Sequence, residues 1–286
     1  PANQCVRTAP TAAFNADIVS CPKANTWGLT YDDGPTSNIV NGVHNPDTAA
    51  IRTALDDLNV KATFFVCGTG VRSLPAQVVN SFKAGHQIAV HTWTHHPLTS
   101  LTNAQIVAEI KYTEAAIYEV IGVVPTHFRP PYGDIDDRVR AIASALGYKT
   151  VIWGVDSLDA DVAATPANAA TVQARIESWF KAGPGFISLE HDISTFTSGI
   201  AVNALAEVKK QVAAGTFPLT INSVAQCVGE SGYWNANVSA AGTSASIASA
   251  TSTTTSTTTT STTTSTATTT TTTSSSTTTT STSTTS

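Results

Sequence analysis

The chain has 286 residues and a net charge of −5, and only 12% of its residues are charged. That balance leaves no basic footprint for nucleic acid and no polybasic patch for an anionic membrane, so an uncharged partner suits it better. No apolar run reaches the length needed to span a bilayer as a helix.

In chain order, the sequence opens at Pro1 with neither an initiating Met nor a charged-then-apolar leader, which reads as a mature, processed form. Cys5, Cys21, Cys67 and Cys227 form an even set without the short paired spacings of thiolate zinc sites. Two disulfides are expected, and with them an oxidising compartment. Short β-rich apolar runs at residues 27–31, 62–66, 87–91, 150–155, 186–190 and 219–222 read as strands. Between them, residues 47–59, 75–84, 103–121, 136–146, 168–181 and 199–214 carry the helical period. Gly85, Gly122, Gly147 and Gly183 fall where those helices should stop. Repeated strand–helix units of this kind predict an α/β fold, an open or irregular barrel around a parallel sheet.

The C-terminal part is different. From Thr251 onward every residue except Ala267 is Ser or Thr. A tract without apolar side chains cannot offset the entropy lost on folding, so residues 236–286 are expected to form a disordered, O-glycosylated tail after a domain spanning 1–235. Asn237-Val238-Ser239 is an N-glycosylation sequon. The tail reads either as the stalk of a freely secreted protein or as the spacer of a lipid-anchored precursor.

Polar clusters fall at or just after the ends of the strand-like runs, the rim where parallel α/β folds build their sites. Asp32-Asp33 precedes Gly34-Pro35. Such a turn can bring both carboxylates into one pocket, one binding a cation while the other stays free as a base, although Asp-Gly-Pro is also an ordinary turn. His91 and His95 are four apart, which on a helical turn puts both rings on one face. With an Asp they make three ligands and leave a position open, as in catalytic zinc sites. Arg129-Pro130-Pro131-Tyr132-Gly133 sets a cation on a stiff backbone, suited to orienting Asp32, with an N–H near Tyr132 free for an oxyanion. His191 is a candidate general acid, and Asp159, Asp156 and Asp161 compete to orient it.

Together, Thr30-Tyr31-Asp32-Asp33-Gly34-Pro35, His91-Thr92-Trp93-Thr94-His95, Arg129-Pro130-Pro131-Tyr132-Gly133, Asp156-Ser157-Leu158-Asp159 and Leu189-Glu190-His191-Asp192 resemble the motifs of the polysaccharide deacetylase family, carbohydrate esterase family four. The resemblance implies a distorted (β/α) barrel and an enzyme that hydrolyses N-acetyl groups. It implies that Asp33, His91 and His95 hold one divalent metal ion, zinc or alternatively cobalt. Asp32 would be the base, oriented by Arg129; His191 the acid, with Asp159 its partner; Tyr132 the source of an oxyanion-hole amide; and Leu189 part of the acetyl pocket. Trp93 and Tyr132 read equally as platforms for sugar rings or as core residues. The tail and cysteines look most like fungal chitin deacetylases, implying a secreted or wall-associated monomer acting on chitin or chito-oligosaccharides, while relatives act on peptidoglycan or acetylated xylan. A catalytically silent carbohydrate-binding wall protein is the alternative of a different class. By resemblance Cys21 pairs with Cys227, and Cys5 with Cys67 follows by elimination. One departure is Ala160, where many relatives carry Trp after the second Asp of the fourth motif; Trp153 and Trp179 are candidates to fill the gap.

Overall fold

The computed structural model describes residues 6–235. In chain order these form β1 Thr26–Gly28, β2 Thr30–Asp32, a hairpin of β3 Ile39–Val40 and β4 Val43–His44, α1 Asp47–Asp57, β5 Thr63–Val66, α2 Gly68–Ser73, α3 Pro75–Lys83 and β6 Gln87–Val90. There follow α4 Asn103–Ile121, β7 His127–Phe128, α5 Asp137–Ala145, β8 Lys149–Thr150, β9 Val155–Asp156, α6 Pro166–Glu177, β10 Phe186–His191, α7 Thr195–Ala213, β11 Thr220–Asn222 and α8 Val224–Val228. The sheet runs β11-β1-β10-β2-β5-β6-β7-β8, with β9 added beside β10. All pairings in it are parallel, and β11 and β8 are its two ends, so it curls as an open, distorted barrel. The expected tail and the Asn237 sequon lie outside the described residues.

Strand alternation sorts the sequence into two cores. Leu29, Tyr31, Phe64, Ile88, Val90 and Phe128 belong to the larger core beneath the helices. Phe65, Ala89, Val151, Ile187 and Val224 form a smaller cluster around the Cys21–Cys227 disulfide. The inward positions of β2, β5, β6 and the β7 exit carry polar side chains above and below that cluster. Thr63, Gln87 and His127 are linked by hydrogen bonds at one end, while Asp32, His91 and Arg129 lie at the other.

Local signals explain most boundaries. Thr102 and Gln105 make a capping box at the start of α4, and Gly122, at φ 71°, ends it. Residues 166–177 form α6, earlier than the expected 168–181, because Thr165 caps it and Pro166 occupies its first position. Ser194 likewise caps α7 four residues ahead of the expected start. The run at 150–155 divides into β8 and β9, and the two-residue strand β7 and the hairpin were not foreseen. The hairpin turns at Asn41 and Gly42, both left-handed, as two-residue hairpin loops require.

The disulfide joins Cys21, ahead of β1, to Cys227 on α8 across 206 positions. Its sulfurs press on Gly28, where an added Cβ would lie 3.1 Å from the Cys21 sulfur. Among the described residues Cys67 is a free, buried thiol facing the His91 carbonyl, and the expected Cys5–Cys67 bond lies outside the described residues, because Cys5 does. Replacing both Cys21 and Cys227 by Ser is expected to lower unfolding stability by about 2–5 kcal/mol, read by urea denaturation. A change under about 0.5 kcal/mol would show that the bond closes no loop the unfolded chain leaves open.

Candidate active site

Five chain segments meet at the rim where the strands end. They line a cavity of about 490 Å³ whose walls include Asp32, Asp33, His91, His95, Tyr132 and His191. Asp32 ends β2, and Asp33 leaves the strand at φ 77°, so consecutive carboxylates turn into the same space instead of to opposite faces of the sheet. Gly34 is required there, because a Cβ would lie 2.1 Å from Asp192 Oδ2.

Asp32 is buried, and its Oδ1 accepts a hydrogen bond from Arg129 Nη1 at 2.8 Å. The same nitrogen donates to Thr30 Oγ1 at 2.6 Å, and the guanidinium lies 4.2 Å from the centre of the Phe65 ring. Burial lowers the Arg129 pKa, and the Asp32 charge opposes it. The Arg129 carbonyl accepts from His91 Nδ1 at 2.8 Å. A carbonyl can only accept, so Nδ1 carries a proton and Nε2 is the ring nitrogen that faces the cavity, free to act as a ligand once deprotonated.

His91 and His95 meet by a route other than the expected helical turn. Residues 91–96 are irregular, with Thr92 at φ 68° and His95 at φ 60°, and the two ring centres are 5.0 Å apart. Asp33 Oδ1 lies 3.1 Å from His91 Nε2 and 2.9 Å from His95 Nε2, yet it is buried without an aligned hydrogen bond from either. The three ligand atoms lie within 4.8 Å of one another. Two imidazole nitrogens and a carboxylate oxygen around a shared point are a donor set for a divalent cation of zinc type, with room for further ligands. Burial raises the Asp33 pKa, but the two histidines outweigh it and hold the carboxyl well below the usual range.

On the neighbouring strand β10, His191 Nδ1 donates to Asp159 Oδ1 at 2.7 Å, and the His191 N–H donates to Asp159 Oδ2 at 2.9 Å. Ser157 Oγ donates to the same carboxylate at 2.9 Å. Of the three candidate partners, Asp159 is therefore the one that orients the ring. Asp156 instead accepts from the Leu158 N–H and from Trp153 Nε1, and Asp161 stands at the cavity edge. Burial lowers the His191 pKa, but bonding to Asp159, with the charges of Asp33 and Asp32, raises it to about 10. A cation held by Asp33 would oppose that rise.

Tyr132 stands at φ 60° on the rim with its ring exposed and 4.6 Å, centre to centre, from that of His95. Its N–H donates to no main-chain acceptor among the described residues. Leu189 lines the cavity. Trp93, a candidate sugar platform, turns away: its ring packs over Gly68, where a Cβ would lie 2.1 Å from it, and against Tyr112. Ala160 leaves its wall low. Trp153 stands in the cavity, while Trp179 packs on Trp27 and Phe186 in the core. Sequence reasoning missed Phe65, Ser157 and Asp192. Asp192 is fully buried, accepts from Thr48 Oγ1 at 2.5 Å, and is pushed up to about 7 by burial and the charges of Asp33 and Asp32. Its place directly after His191 was the one available signal.

Residues 20–151 match the family model for polysaccharide deacetylase. Chitin deacetylase 1 of Cryptococcus neoformans var. grubii is 39% identical over 242 residues, covering 79% of this chain and 49% of that protein. Peptidoglycan deacetylase PdaC from Bacillus subtilis matches with a TM-score of 0.60 at 29% identity, covering 72% of this chain and 91% of that one. The chitin deacetylase of Colletotrichum lindemuthianum, with a TM-score of 0.65 at 22% identity over 80% of this chain and 98% of its own, is alike in fold. The chain belongs to the polysaccharide deacetylase family. It spans about half the length of the curated relatives it matches.

Metal analysis after dialysis against a divalent cation is expected to find one equivalent per chain, lost in Asp33→Ala and His91→Ala; one equivalent retained by both variants would place the cation elsewhere. Arg129→Met is expected to cost about 3–5 kcal/mol in urea unfolding, because it leaves the buried Asp32 without its counter-charge. Near-neutral stability would mean that water reaches the Asp32 carboxylate and replaces the arginine.

Proposed function

We propose that this chain is a metal-dependent deacetylase that removes N-acetyl groups from chitin or chito-oligosaccharides. The observation that carries the reading is one cavity in which a cation site, a carboxylate held by a buried arginine, and a histidine held by a second carboxylate stand together. The likeness to a curated chitin deacetylase favours chitin as the substrate class.

A divalent ion at Asp33, His91 and His95 supplies Lewis-acid polarisation of the acetamide carbonyl and lowers the pKa of water. The donor set favours zinc, with cobalt as a functional substitute. Asp32, fixed by Arg129, takes the proton of the attacking water. The Tyr132 N–H donates to the oxyanion that develops on the carbonyl oxygen. Leu189 offers an apolar wall to the acetyl methyl, and the Tyr132 ring an aromatic face to the sugar. His191, with Nδ1 committed to Asp159, presents Nε2–H to the departing amine. The C–N bond breaks, acetate leaves with the water oxygen, and the sugar retains a free amine.

The site is complete within a single chain, which supports a monomer. No helix among the described residues is long and apolar enough to cross a membrane. The Cys21–Cys227 bond and the Ser/Thr-rich composition beyond residue 235 support an extracellular or wall-associated domain spanning 1–235 on a glycosylated stalk. Metal-depleted protein is expected to release acetate from N-acetylglucosamine oligomers only after zinc or cobalt is restored, and Asp32→Asn to lower that rate by about 10²–10⁴-fold. A zinc-loaded protein that released no acetate from chitin oligomers would overturn this function.

A further inference from the structure

The loop between the two histidines is held by a carboxylate that touches neither ring. Residues 91–96 leave β6 as irregular chain, with Thr92 and His95 both in left-handed conformations. A β-branched residue such as Thr92 is an outlier there, and persists only where its surroundings over-determine the backbone. Those surroundings centre on Glu109, one-third of the way along α4. Its Oε2 accepts the Trp93 N–H at 2.7 Å and the Thr94 N–H at 2.8 Å, while Oε1 accepts the Thr94 hydroxyl. Successive N–H groups closed on one anion form a concave cradle. The His95 N–H, next in line, donates to Thr92 Oγ1 at 3.2 Å.

Other glutamates of α4 pair with cations: Glu114, mostly buried beneath the Tyr148 hydroxyl, with Lys111, and the exposed Glu119 with Arg72. Among the described residues no cation pairs with Glu109; both of its oxygens serve the loop. The helix that carries it is firmly seated, with Ile106, Ile110, Thr113 and Ile117 buried and both ends capped. The Trp93 ring closes on Gly68 from the same side and fixes the loop a second time.

We propose that Glu109 is a positioning residue for the metal site: it sets the backbone between His91 and His95 so that both Nε2 atoms face Asp33, and so determines cation affinity without touching the cation. The proposal rests on the cation-site reading above. Without Glu109 the loop must order as the cation binds, and that ordering is subtracted from affinity. Glutamine keeps one acceptor oxygen and cannot serve all three donors, and alanine serves none.

The test is chelator competition for zinc alone on the metal-depleted full chain, comparing wild type, Glu109→Gln, Glu109→Ala and, as a control on the same helix, Glu119→Gln. Removal of an outer-shell partner weakens affinity about 10–100-fold, and the two Glu109 variants are expected in that range, alanine the weaker binder, with the control unchanged. At saturating zinc their kcat is expected to return toward wild type with KM unchanged. In the metal-free protein the Trp93 and Thr94 amides are expected to exchange faster in Glu109→Gln, a readout that also serves if Glu109→Ala fails to fold. Folded Glu109 variants that bind zinc within about twofold of wild type overturn the proposal alone. A wild type that binds no zinc overturns the cation-site reading and takes this proposal with it.

Discussion

Everything at the mouth of this barrel depends on one buried arginine. Arg129 is 0% exposed, and a guanidinium taken out of water is tolerable only when its donors and charge are matched. Most of the match comes from Asp32, the Thr30 hydroxyl and the face of Phe65, on inward positions of adjacent strands, with the Ile152 carbonyl accepting from Nη2; Nε is buried without a hydrogen-bond partner among the described residues. The main chain of the same residue fixes the tautomer of His91. A single position thus orients the carboxylate proposed as the base and one of the ligands that would hold the metal, which places these two groups in a fixed relation without any direct bond between them.

Around that pair the rim collects features that are unfavourable elsewhere in a protein. Among the described residues, left-handed non-glycine backbone occurs at Asn25, Asn41 and Asn59, where the side chain tolerates it, and otherwise at Asp33, Thr92, His95, Tyr132 and Leu158, all in the segments that build the cavity. Each such residue costs on the order of 1–3 kcal/mol. Buried carboxyls add to the burden: burial and neighbouring negative charge push Asp192 up to about 7, and Glu190 is raised to about 8 by burial and Asp159. A barrel with two packed cores and a disulfide can carry these costs. A cation held between Asp33 and the two histidines would relieve part of the charge repulsion.

Much of this was legible in the sequence because strand exits and polar clusters coincide: Asp32-Asp33, His91 and His191 all stand at the ends of apolar runs of strand length. Spacing also set His91 and His95 apart from His86 and His127, which are buried elsewhere in the structure. What the sequence hid was conformation. The four-residue spacing suggested a helical turn, whereas the rings meet through two left-handed residues in a loop whose amides bond Glu109, 15 residues beyond Thr94. Trp93 looked like a sugar platform because aromatic faces suit the apolar sides of pyranoses; the missing Cβ of Gly68, just past the end of the neighbouring strand β5, leaves the space its ring fills.

The position of β1 governs how this chain must be made. β1 is among the first elements synthesised, yet both of its neighbours in the sheet, β10 and β11, come from the last part of the domain. β2, by contrast, finds β5 about thirty residues on. During synthesis an apolar edge that includes Trp27 therefore waits, unpaired, until residue 222 has emerged, and Cys21 has no partner until Cys227 follows. Parallel pairing at such long range is slow and leaves surface open to association. Production in a host that shields nascent chains and supplies thiol oxidation late favours yield, and a chain cut short before α8 would keep every strand and its cluster of ligands while losing the Cys21–Cys227 bond.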